Sequence, residues 1–234
     1  MKPFRITALL LALAGVTLSA TPPAQAANTY TNGDLFLGFR ASAGVGATQD
    51  YLIKIGSASQ FNGVSSSVFL GNTGDLNTDL TALFGADWST REEIFWSVSG
   101  ANLLADPANT LYATRARVNP AAQTLPWLGR SNSSQGVTVS KLNGLIGAYL
   151  LGTPAPNNGL ATIQNTSDTN SYASYQPGGT TVNSAGISFG AFSPTIEGSF
   201  VNGTSGSVLD LYRIVPVFDP VSYTHLTLPT ICSV

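Results

Sequence analysis

The sequence predicts a mainly β domain, an antiparallel β-sandwich or jelly-roll-like fold carrying one or two short helices. Three observations carry that prediction. Apolar and polar residues alternate over several short runs, such as Asp34 to Arg40; a period of two places alternate side chains on opposite faces of a strand. Gly, Ser, Thr and Asn fill the stretches between these runs, as turns require. Helical spacing of apolar residues appears in only two segments.

The chain opens on a segment that reads as a secretory signal, residues 1–26. Lys2 and Arg5 give a positive start, Ile6 to Leu18 form an apolar run, and Ala24-Gln25-Ala26 supplies a small-x-small cleavage pattern. The run is shorter than the about 20 apolar residues that a membrane-spanning helix needs. Pro22 and Pro23 interrupt any helix continuing from it. Residues 27–219 are expected to form one β-rich domain.

Within that domain Leu35, Leu37 and Phe39 share one strand face, and after a Gly/Ala/Ser turn Tyr51, Ile53 and Ile55 share another. These two strands are expected to pair early in the chain. Asn77 or Thr78 caps a short helix carrying Leu80, Leu83 and Phe84, and Gly85 stops it. Ile94, Trp96 and Val98 mark a third strand. Leu111 to Val118 is a fourth, after a turn at Asp106-Pro107.

Ser140 to Leu151 is the second helix, with Leu142, Leu145, Ile146, Tyr149 and Leu150 on one side and Gly152 and Pro154 ending it. Residues 153–184 read mostly as loop, with a short strand around Tyr172 and Tyr175 as the alternative. Ile187 to Phe192, Thr195 to Val201 and Ser207 to Val217 are the closing strands, with Leu209, Leu211 and Val215 sharing a face in the last.

Residues 220–234 are expected not to be native. The stretch Val221 to Thr230, VSYTHLTLPT, resembles a translated transposase-type sequencing-library adapter. The resemblance extends to three index codons, Ile231 to Ser233, and a final Val234. The only histidine, His225, and the only cysteine, Cys232, fall in that stretch. The 193 residues from Ala27 to Asp219 therefore offer no disulfide, thiolate nucleophile, histidine base or Cys/His zinc site. They hold two lysines and six arginines against nine aspartates and three glutamates, a net charge of −4. No basic patch appears, which argues against nucleic acid as a partner.

Four constellations invite a chemical reading. Asp75, Asn77 and Asp79 place oxygen side chains at alternate positions, as at the start of a calcium loop. Leu80 then stands where glycine is required, and Ala86 where a bidentate glutamate should close the site. Turn chemistry and helix capping account for these residues, with a non-standard calcium site as the alternative. Glu92 and Glu93 offer paired carboxylates, but neighbours on a strand face opposite sides and cannot cooperate in glycoside cleavage. The serines at 65–67 and 131–134 have no histidine to activate them, leaving only Lys54 or Lys141 as a formal base. Trp88, Trp96 and Trp127 are expected in the core, with a sugar-stacking platform as the alternative.

The stretches Asn32 to Arg40, Thr48 to Leu52 and Gly206 to Arg213 resemble exported proteins of the PEP-CTERM sorting class from verrucomicrobia-like bacteria. That resemblance implies export, surface retention through a C-terminal anchor, and extracellular polysaccharide as a partner; membrane contact would run only through that anchor. The Pro-Glu-Pro motif, apolar helix and basic cluster that usually end such proteins are not in this sequence. The sequence thus leads to an exported, non-enzymatic cell-surface or extracellular-matrix protein without catalytic residues or cofactor. The alternative is a carbohydrate-binding or carbohydrate-cleaving module.

Overall fold

The computed structural model describes residues 28–62, 75–104, 107–119, 121–122, 125, 129–176, 196–200 and 208–217, and the backbone of 223–226. The signal-like segment, the serines at 65–67, Trp127 and the strand expected over Ile187 to Phe192 lie outside these residues.

The architecture is mainly β and antiparallel, as the alternation predicts. β1 (Asp34–Ala41), β2 (Gln49–Ser57), β3 (Ile94–Asn102), β4 (Thr110–Ala116), β5 (Thr153–Pro154), β6 (Ala161–Asn165), β8 (Leu209–Ile214) and β9 (Tyr223–Leu226) pair in the order β5-β6-β2-β1-β3-β4-β8-β9, and β7 (Gly198–Ser199) adds to β3. The strands are hydrogen-bonded into one nine-stranded sheet. Its sandwich-like layering comes from apolar clusters packed on both faces. The edge strand β9 falls in the adapter-like stretch.

The two faces follow from strand parity. Leu35, Leu37 and Phe39 of β1 join Tyr51, Ile53, Ile94, Trp96 and Val98 in one cluster, the set that alternation marks. α1 (Leu76–Phe84) covers this face through Leu80 and Phe84. Asp75, rather than Asn77 or Thr78, caps α1: its carboxylate accepts from the Thr78 N–H at 3.0 Å. Gly85 ends the helix at φ 97°, a left-handed value that glycine adopts without a Cβ penalty.

The opposite face carries Phe36, Leu52, Leu111, Ala113, Tyr212 and Ile214 under α2 (Asn132–Leu151) and α3 (Tyr172–Tyr175). α2 begins about two turns before the expected Ser140. Ser131, expected in a loop, caps it by accepting from the Ser134 N–H. The added turns are tied to the sheet by buried Gln135, whose side-chain amide donates to the Asn109 and Ile214 carbonyls at 2.8 and 2.7 Å. Tertiary bonds here override the weak helix propensity of Ser, Gly, Val and Thr. The stretch expected as loop from residue 153 contains β5, β6 and α3, and Tyr172 and Tyr175 sit on a helical turn rather than a strand.

Candidate functional site

One sheet face carries a belt of buried polar side chains. Strand register places Gln164 (β6), Asp50 (β2), Arg40 (β1), Phe95 (β3) and Ser199 (β7) in a single row across five strands. One step along β1, Gly38 pairs with Ser97. Gly38 is required here: a Cβ would overlap the ring of Tyr172. Tyr172 is fully buried, and its hydroxyl lies 2.7 Å from Ser97 Oγ and 3.3 Å from Glu197 Oε1.

Arg40 is the cation of this belt. Its Nε donates to Glu197 Oε1 at 2.9 Å and its Nη2 to Oε2 at 2.5 Å, a two-pronged ion pair. The guanidinium also stands 5.0 Å over the Phe95 ring, a cation–π contact. Burial pushes the Glu197 carboxyl above its ordinary range, with Arg40 opposing. Burial likewise raises the Tyr172 phenol.

Asp50 and Gln164 form the other end of the row and hold the N-terminus of α3. Asp50 Oδ2 accepts from the Ala173 N–H at 2.7 Å and Gln164 Oε1 from the Tyr172 N–H at 3.0 Å. Ser171 adds the cap, accepting from the Ser174 N–H at 3.2 Å. These side chains satisfy backbone donors that a helix start leaves orphaned. Asp50 is fully buried, and burial pushes its carboxyl up to about 7 although Arg40 and the Ala173 N–H oppose. Asp50 Oδ1, Gln164 Nε2 and both side-chain polar atoms of Gln176 lack a hydrogen-bond partner among the described residues.

The residues singled out in the sequence are dispersed. Asp75 is the α1 cap, Asn77 accepts from Trp88 Nε1 at 3.1 Å, and Asp79 is buried. The Asp79 carboxylate accepts from the Tyr51 hydroxyl at 3.0 Å and from Asn157 Nδ2 at 2.9 Å. Among the described residues no group of three His, Cys, Asp or Glu gathers at metal-binding distance. Glu92 and Glu93 are exposed in the turn before β3. Lys54 lies 3.6 Å from Asp34 and donates to the Thr29 carbonyl. Trp88 and Trp96 are core residues, packed against Phe200 at centroid distances of 5.0 and 5.6 Å.

No motif announces the belt, because Arg40 and Glu197 are 157 residues apart. The only local hint is the unusual pairing of charged residues, Arg40 and Asp50, with long apolar strands. Chemically the belt holds acids beside a cation and a phenol, yet each acid is already bonded to the fold. No protein-family model, curated protein or solved structure matches the chain.

Proposed function

We propose that this chain is an exported, non-enzymatic protein of the cell surface or extracellular matrix, and that its buried acids serve the fold. One observation supports the reading: among the described residues each buried carboxylate accepts at least one hydrogen bond or ion pair from within the fold. Glu197 is held by Arg40 and Tyr172, Asp50 by the Ala173 N–H, and Asp79 by Tyr51 and Asn157. Asp210 is held by Arg117 at 2.7 Å, and Asp34 accepts from the Thr31 N–H at 2.8 Å. A general acid or base needs its proton within reach of a substrate, and these groups are engaged by partners within the fold instead. The sole histidine and cysteine lie in the adapter-like tail.

Export is supported by the signal-like pattern ending at Ala24-Gln25-Ala26, and retention by the sorting-class resemblance. The test is expression of residues 1–219 in a Gram-negative host, with intact-mass analysis of the product in each cell fraction. The reading expects a chain beginning at Ala27 outside the cytoplasm. An uncleaved chain confined to the cytoplasm contradicts it.

A further inference from the structure

A groove of about 430 Å³ lies at the β5–β6 end of the sheet, between the C-terminal end of α2 and the 165–171 loop. That size falls within the about 300–1,000 Å³ of small-molecule sites. Its lining includes the polar residues Gln49, Asn165, Asp168, Thr169 and Asn170 and the apolar Ala148 and Leu151. Gln49 and Asn165 are register partners on β2 and β6, which sets two amides side by side.

The polar wall is preorganised. The Asp168 N–H donates to the Asn165 carbonyl at 3.0 Å, and the Ser171 N–H to the Asp168 carbonyl at 2.9 Å. Ser171 Oγ donates to the Thr166 carbonyl and Ser174 Oγ to the Thr169 carbonyl. The buried Tyr175 hydroxyl donates to Asn170 Oδ1 at 3.3 Å, so Asn170 has its amide NH₂ left to offer a ligand. Five backbone and side-chain bonds thus fix a loop whose Asn165, Asp168, Thr169 and Asn170 remain exposed. A rim fixed before binding pays little ordering entropy when the ligand arrives.

The lining selects the ligand by chemistry. Among the described residues it contains no Lys, Arg or His to hold an anion, and no aromatic ring to stack on a flat heterocycle. Asp168 is the only carboxylate among the described lining residues, too few for a hard cation, which takes six to eight oxygens at a typical calcium site. Amides, hydroxyls and one carboxylate beside the aliphatic Ala148 and Leu151 match a ligand with many hydroxyls on one side and C–H groups on the other. Leu151, 89% exposed at the groove margin, is the surface that such C–H groups would cover.

We propose that this groove binds a neutral sugar unit of a glycan, with Asn165, Asp168 and Asn170 as hydrogen-bonding partners and Leu151 as the apolar contact. The inference rests on the groove alone and holds whether the protein is released or retained. It is tested by residue-resolved NMR of the full chain with neutral oligosaccharides of glucose, galactose, mannose and N-acetylglucosamine in α and β linkage. Calcium chloride and inorganic phosphate serve as controls.

The expected result is that at least one oligosaccharide shifts the amide signals of Asn165, Asp168, Thr169 and Asn170 and leaves those of β8 in place. Asn165→Ala with Asp168→Ala then weakens that binding by roughly tenfold or more, the effect of losing one or two hydrogen bonds, while near-ultraviolet dichroism stays unchanged. Sugar-induced shifts elsewhere with the groove silent overturn the site but leave glycan binding standing. No response to any oligosaccharide overturns both, and groove shifts with calcium or phosphate alone assign the groove to an ion.

Discussion

The ring of Tyr172 occupies the space that any side chain on Gly38 would take, so the α3 helix is seated by a missing Cβ on the central strand β1. From that seat the phenol reaches Ser97 and Glu197, linking α3 to β3 and to the residue just before β7. The contact makes Gly38 a sharp probe of the packing.

Gly38→Ala is expected to cost about 1–3 kcal/mol, the usual penalty for overpacking a core. In a Tyr172→Ala background the same change should cost much less, because the clash partner is gone. Urea denaturation of the four proteins reads both values. Equal costs in the two backgrounds would place the strain elsewhere.

Glu197→Ala removes one partner of the Arg40 pair and leaves a largely buried guanidinium without it, since Arg40 has a side-chain exposure of 15%. Breaking a buried pair this way costs roughly 3–5 kcal/mol, whereas replacing both partners by apolar residues is often close to neutral. Arg40→Met with Glu197→Leu should therefore recover much of the stability lost in Glu197→Ala. A double variant as unstable as the single one would show that the pair contributes more than its own burial cost.

Calcium is expected to leave thermal unfolding unchanged, because Asp75, Asn77 and Asp79 direct their oxygens to three separate partners. Asp75→Ala should still lower the midpoint, as a lost helix cap. Differential scanning fluorimetry with calcium or a chelator checks the first point. A midpoint that rises with calcium and loses that rise in Asp75→Ala would restore the metal reading.

Much of the fold is legible in the sequence where period and burial agree. Leu35, Leu37 and Phe39, then Tyr51, Ile53 and Ile55, alternate in sequence and pack on one face in the structure. Gly85 and Gly152 end the helices where the apolar spacing stops. The first turns of α2 are not legible, because they depend on Gln135 reaching carbonyls of β4's approach and of β8. β6 is hidden for a similar reason: the short ATIQN run becomes a strand by pairing with β2.

The belt is still less visible. Arg40, Asp50, Tyr172 and Glu197 come from four separate stretches, and only strand register aligns them. Alternation marks Arg40 as pointing away from Leu37 and Phe39. It does not indicate that this second face is also buried, under α2 and α3.

On the proposed reading the buried acids serve the fold as hydrogen-bond acceptors rather than as reactive groups. Asp50 does so as a group that need not be ionised, and it gives the most direct measurement. Its carboxyl is raised from 3.8 to about 7 by burial, with Glu197 and Asp168 adding to the rise and Arg40 and the Ala173 N–H opposing. The folded protein therefore keeps a proton on Asp50 between about pH 4 and 7, where the unfolded chain has lost it. The stabilisation is full below that window and is lost as pH rises through it, by up to about 1.4 kcal/mol per unit. Asp50→Asn keeps an oxygen for the Ala173 N–H and removes the titration. Urea unfolding of both proteins from pH 4 to 8 is predicted to show equal stability near pH 4 and a variant more stable by a few kcal/mol, roughly, at pH 8. A variant less stable than the parent at pH 8 would contradict the account, because it would show that a charged Asp50 is required.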